Sequence, residues 1–185
     1  RAVGELGSNI QNGGTTEYNI LPGLATQIYK GDLVQILAAN GTIQQSAAGN
    51  ADCLGVFNGC LYDDPTTQKP TWSNYYPGGI TPTGGGLIKA FVYDDPNKLF
   101  EIQGSAILAK NAAVGKNTDI LLAQGNTING QSATQMNTAL PPAAASAQLR
   151  IVGFSTDPEN SDPLTANANW IVRINEHVYS RATGV

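Results

Sequence analysis

The sequence predicts a mainly β chain: an antiparallel β-barrel or sandwich with an extended N-terminal arm and little helix. Three observations support this. Short apolar runs of strand length recur between clusters of Gly, Pro, Asn and Asp. The clearest of those runs alternate apolar and polar residues with period two. Helix signals are confined to two short stretches, Ser105–Val114 and Ser132–Leu140, the second stopped by Pro141-Pro142.

The 185 residues suit one domain, or one domain plus an arm. A chain of this length buries roughly 70% of its unfolded surface and needs no disulfide or metal to fold. Charged residues make up only 13%, against roughly 25% in ordinary soluble domains. Asn, Gln, Thr and Ser therefore supply the polar surface, and uncharged polar groups enter interfaces without the desolvation cost of charges. The net charge of −4 and pI near 4.8 leave no basic stripe, so direct nucleic-acid binding is not expected. No apolar run approaches 18 residues, so no membrane span is expected. The stretch Arg1-Ala2-Val3-Gly4-Glu5 lacks the apolar core of a signal peptide.

Residues 1–22 are rich in Gly, Asn and Thr and read as an extended arm that orders on a neighbour, with a disordered tail as the plainer alternative. Thr15, Thr16, Tyr18 and Ile20 are the candidate contacts of this arm, able to add a strand to another subunit's edge. On this reading, removal of residues 1–20 leaves the barrel folded. Residues 23–185 form a single barrel-like domain. Within it, "GDLVQILAANGTIQQ" is a hairpin turned at Asn40-Gly41. "DCLGVFNGCLY", "GLIKAFVY", "KLFEIQ", "AQLRIVGF" and "NWIVRINEHVYS" are further strands. In the last, Trp170, Val172, Ile174 and Val178 share one face, and Arg173, Asn175 and His177 the other. The strand Leu87–Tyr93 is apolar on nearly both faces, as for a strand between two layers.

Cys53 and Cys60 lie seven residues apart, more than 20 Å along one strand at roughly 3.3 Å per residue. A disulfide needs Cα atoms within roughly 7 Å, so both are expected as buried free thiols of a reducing cytosol.

"YDDP" occurs twice, at Tyr62-Asp63-Asp64-Pro65 and Tyr93-Asp94-Asp95-Pro96. Neighbouring strand residues face opposite ways, so paired aspartates cannot cooperate while the strand continues. Asp followed by Pro is turn chemistry: the carboxylate accepts an amide two residues on, and Pro presets φ. Asp63, Asp64, Pro65, Asp94, Asp95 and Pro96 are accordingly read as the turns of two hairpins. No Asp-x-Asp-x-Asp-Gly loop surrounds either pair, so calcium is not expected. A single histidine, no Gly-x-Ser-x-Gly elbow and no Walker loop leave no enzyme signature, and no cofactor is expected. Trp72, Tyr75 and Tyr76 could form a sugar-stacking platform if exposed, but read more simply as the buried body of a return strand and corner.

Taken in order, "GDLVQILAANGTIQQSAAGNADCLGVFNGCLYDDPTTQKPTWSNYYPGG", "IKAFVYDDPNKLFEIQ" and "LRIVGFSTDPENSD…WIVRINEHVYS" resemble the capsid cement (decoration) proteins of tailed bacteriophages over residues 24–180. The long 104–148 segment departs from the smaller members. The resemblance implies a β-barrel-like body on the outer surface of a virion's icosahedral head, made in the host cytoplasm. It implies two partners: the phage major capsid protein, and the chain itself as a homotrimer or other symmetric oligomer. The alternative is a carbohydrate- or receptor-binding β module of a tail or surface fibre.

Overall fold

Two β-sheets share one barrel wall. The computed structural model describes residues 1–5, 14–139, 145–158, 162, 164–181 and 185; stretch 6–13 of the expected arm and most of "PPAAA" lie outside them. The first sheet closes on itself. Strands β2 (Thr16–Ile20), β4 (Leu33–Ile36), β5 (Ile43–Gln45), β6 (Cys53–Asp63) and β9 (Ile88–Tyr93) run in the order β4-β5-β2-β9-β6, and β6 pairs back onto β4. A five-stranded barrel results. Its pairings are antiparallel except for one parallel contact, Ile20 with Ile43. β7 (Pro70–Ser73) extends outward from β6. A two-stranded ribbon of β3 (Ile28–Tyr29) and β8 (Tyr75–Tyr76) packs beside β6.

Alternation explains the barrel interior. Ile88, Ala90 and Val92 of β9 point inward and are fully buried, joined by Ile20, Val34, Ile43, Leu54, Phe57 and Cys60. β6, at eleven residues, is too long to stay straight in so small a barrel. A register shift between Phe57 and Gly59 bends it. Gly59 sits at φ 153, and a Cβ there would come within 2.6 Å of the Trp72 ring, so glycine is required.

The second sheet is open and antiparallel, in the order β1-β10-β15-β14-β11. Its strands are β1 (Ala2–Glu5), β10 (Lys98–Gln103), β11 (Asn117–Thr118), β14 (Leu149–Phe154) and β15 (Asn169–Ile174). Its inner face carries Phe100, Leu149, Ile151, Trp170, Val172 and Ile174. These pack on the outside of the barrel wall, against Leu33, Cys53, Val56 and Tyr93. A small ribbon of β12 (Ile120–Leu121) and β13 (Gln135–Met136) closes the side with Ile120 and Met136. The mainly β, barrel-type class read from sequence is the observed one, and the Asn40-Gly41 hairpin is present as β4–β5.

Four expectations are corrected. The described parts of the arm are built into this chain's own sheets: β1 pairs with β10, and β2 lies between β9 and β5. Its alternating Thr, Tyr and Ile do add a strand to a sheet, but to their own. Ser132–Leu140 forms no helix through residue 139 and instead contains β13, whereas Ser105–Val114 does hold one helical turn, α1 (Lys110–Ala113), as its short signal predicts. The second Tyr-Asp-Asp-Pro is not a hairpin, because β9 belongs to the barrel and β10 to the second sheet. β15 ends at Ile174, and the chain beyond it crosses to the barrel. Val178 consequently enters the barrel core rather than continuing the Trp170 face, and His177 is buried rather than exposed.

Candidate interaction surface

Each Tyr-Asp-Asp-Pro stretch ends a barrel strand, and in each the second aspartate makes the turn. Asp64 Oδ1 accepts the amides of Thr66 (2.8 Å) and Thr67 (2.7 Å), while its carbonyl accepts the Gln68 amide at 2.8 Å. Those amides, Thr67 foremost, hold the Asp64 carboxyl below the usual carboxylate range. Asp95 Oδ1 accepts the Asn97 amide at 2.8 Å, and its carbonyl accepts the Lys98 amide at 3.0 Å. Pro65 and Pro96 follow directly in their expected place.

The first aspartates diverge. Asp63 is exposed where the β6–β7 ladder ends opposite Pro70. Asp94 reaches back to β2: Oδ1 accepts the Thr16 hydroxyl at 2.8 Å and Oδ2 the Tyr18 hydroxyl at 2.7 Å. Tyr179 lies 2.8 Å from the Tyr18 hydroxyl and donates to it, because the Tyr18 proton is already given to Asp94. Burial, with the Tyr179 and Asp94 bonds adding to it, pushes the Tyr18 phenol up. Thus Thr16, Tyr18 and Ile20 hold a strand in place: the first two through Asp94, and Ile20 by complete burial. Thr15, just before the strand, is partly buried.

His177 completes this end of the barrel. Its Nδ1 accepts the Tyr179 amide at 3.1 Å, which places the proton of the neutral ring on Nε2. Burial pushes its pKa down, against the nearby carboxylates of Asp94 and Asp95. Val178 donates to the Cys53 carbonyl at 2.9 Å, tying the segment to β6.

Two other carboxylates are buried. Asp32 Oδ2 accepts the Tyr29 amide and Gln45 Nε2, each at 2.8 Å. Its Oδ1 accepts Ser132 Oγ at 2.5 Å and Thr134 Oγ1 at 3.1 Å. Burial pushes this carboxyl up, and the four donors oppose it. Glu101 is held by Arg1, by Ser155 Oγ at 2.6 Å and by Asn169 Nδ2 at 3.3 Å. Burial acts to raise the Glu101 pKa, yet the Ser155 and Arg1 bonds outweigh it and leave the carboxyl below the usual range. A cavity of about 390 Å³, lined by Glu101 and by the Asp32 partners Ser132 and Thr134, lies between Leu33 and Val56 of the barrel and Phe100, Val172 and Ile174 of the second sheet. Asp32 and Glu101 are engaged by internal donors and serve as structural hubs. Among the described residues no group of three or more His, Cys, Asp or Glu is placed to hold a metal.

Cys53 and Cys60 are free and buried, Cys53 in the inter-sheet core and Cys60 in the barrel. Burial pushes their thiols up to about 11 and about 12, so both stay protonated and unreactive at neutral pH. The aromatic cluster divides. Tyr76 is fully buried and donates to the Leu24 carbonyl at 2.9 Å. Tyr75 stacks on Tyr29 with centroids 5.4 Å apart, and Trp72, half exposed, leans on Phe91 at 5.2 Å. Of the three, Trp72 is exposed, Tyr75 partly buried and Tyr76 fully buried.

Eleven large hydrophobic side chains are exposed among the described residues, including Leu21 and Leu87, Ile107, Val114, Ile128 and Leu164. Of the eleven, sequence reading singled out only Trp72 as a candidate surface residue. Ile128 had a legible signal, an isoleucine inside the turn composition Asn126-Thr127-Ile128-Asn129-Gly130. Asp32 had none, since its four donors come from segments up to 102 residues away. No helix among the described residues is long and apolar enough to cross a membrane. In comparisons with known proteins, no family model, no curated protein and no solved structure matches this chain.

Proposed function

We propose that the chain is a structural capsid decoration protein. In this reading it binds the outer surface of a tailed-phage head, bridges major capsid protein subunits and self-associates symmetrically. The observation that carries it is the surface, which exposes eleven large hydrophobic side chains among the described residues while only 13% of the chain is charged. Interface cores are depleted of charged residues, and apolar side chains left in water become favourable contacts when a partner covers them. The ordered resemblance of residues 24–180 supports the same reading. Binding to a site composed of two capsid subunits stabilises only the shell state that presents it, by mass action. Many copies in fixed geometry then add their effects.

The test is co-sedimentation of purified protein with undecorated heads, expanded and unexpanded. Saturable binding at a stoichiometry set by icosahedral symmetry, stronger on expanded heads, is the expected result. Absence of binding to either form ends the proposal. The half-exposed Trp72 is the one observation favouring the second reading, a glycan- or receptor-binding module. A glycan array silent for the wild type removes that reading.

A further inference from the structure

Two arginines stand directly opposite each other in the second sheet. Arg150 of β14 and Arg173 of β15 are register partners, flanked by the pairs Leu149–Ile174 and Ile151–Val172. Those four flanking residues belong to the core between the sheet and the barrel, so alternation puts both arginines on the outer face. Side chains paired in this way start roughly 5 Å apart at Cβ, and like charges placed there are destabilising. Both residues are partly buried, where water and salt screen the repulsion less than at an exposed site.

The rest of the fold does not relieve it. Arg150 Nε donates to Asn117 Oδ1 at 2.8 Å, a neutral acceptor. Arg173 Nε is buried without a hydrogen-bond partner, and no carboxylate pairs with either guanidinium among the described residues. Other cations of the chain are treated differently: Arg1, Lys89 and Arg181 each meet a carboxylate. Arg181 also has a buried Nε without a partner, but its Nη atoms reach the Ala51 carbonyl and Asp52. Glu101, on the neighbouring β10 opposite Ile171, is taken by Arg1, Ser155 and Asn169. A buried donor without an acceptor and two opposed cations are both unfavourable, and one bound anion removes both penalties.

We infer that Arg150 and Arg173 together bind a phosphate group in its dianionic form. Charge balance selects this class. A carboxylate carries one charge and is matched by the fork of a single arginine, which leaves the other uncompensated. A phosphate dianion matches both charges and has oxygens enough for two forks. With Arg150 Nε held by Asn117, its two Nη groups remain to donate, beside the Nε and Nη groups of Arg173. The free ion and the end of a phosphorylated small molecule present this same group. The inference goes beyond the proposed function, and its test uses no capsid, so each can fail without the other.

The experiment titrates ¹⁵N-labelled protein with sodium phosphate at about pH 7.5, where the dianion predominates, with ionic strength held constant by sodium chloride. The backbone amide resonances of Asn117, Arg150 and Arg173 should shift saturably. Arg173→Met and Arg150→Met should each weaken the apparent affinity by about tenfold or more. Arg173→Lys, which keeps the charge and loses the fork, should weaken it too and repeats the test independently of the methionine variant's folding. Lys89→Met, on the barrel, should leave it unchanged. Without phosphate, Arg173→Met should melt no lower than the wild type, because the opposed charge is gone. Methyl phosphate separates the two sources: binding equal to inorganic phosphate admits phosphorylated molecules, weaker binding assigns the free ion, and both support the site. Shifts that do not saturate, or that sodium chloride reproduces, overturn the inference. So does undiminished affinity in the Arg173 variants. Acetate that binds as tightly as phosphate overturns the dianion class, because the pair then takes a carboxylate.

Discussion

The two Tyr-Asp-Asp-Pro stretches have the same four residues and hold different things. In both, the second aspartate and the proline make the turn through bonds within four residues. The first aspartate has no fixed role. At Asp63 it meets solvent at the end of a hairpin; at Asp94 it pins an internal strand and faces a buried histidine. Local chemistry sets the turn, and what packs beside the strand end sets everything else.

The comparison can be broken most severely by removing what Asp94 holds. Deleting residues 14–20 takes away β2 and leaves the edges of β9 and β5 unpaired within the barrel. The product should be insoluble or lack near-ultraviolet circular dichroism; a soluble chain with native dichroism would restore the arm reading. Next, Asp94→Ala removes the acceptor of both Thr16 and Tyr18, and denaturant unfolding should show a loss of about 2–3 kcal/mol. A loss no larger than that of Asp63→Ala would mean the two copies are equivalent after all.

The histidine gives a pH signature. Its folded pKa lies below the unfolded value, so the stability it contributes is present above about 6.5 and is lost as pH falls through that value toward the folded one. Between those values the slope approaches roughly 1.4 kcal/mol per pH unit. His177→Gln should flatten the fall in Tm between pH 7.5 and 5; an unchanged profile would assign the fall to other groups. Asp95→Ala, which loses one amide partner, should cost about 0.5–1.5 kcal/mol, and Asp64→Ala should likewise lower the unfolding midpoint. Asp63→Ala is the smallest, within about 0.5 kcal/mol of wild type. A larger change there would reveal a contact that Asp63 does not make within one chain.

The strands were legible because their information is local. Ile88, Ala90 and Val92 alternate, as do Trp170, Val172 and Ile174, and each set is buried as its period requires. Asp64-Pro65 and Asp95-Pro96 were legible for the same reason. What stayed hidden depends on which layer a segment joins. Thr16–Ile20 shows the same alternation whether it pairs with its own β9 or with another subunit, so periodicity alone cannot choose. His177 continues the polar face of β15 in sequence, but the strand stops at Ile174 and the register no longer applies. The candidate surface was least legible. Ile128 and Leu164 are ordinary apolar residues until the fold leaves them uncovered.

Electron cryomicroscopy of expanded heads incubated with the purified protein tests the central claim, that this surface exists to bind a shell. The account predicts added density on the outside of the head at symmetry-related positions, accommodating the barrel and second sheet and bridging neighbouring capsid subunits. Bare heads at saturating protein would contradict it.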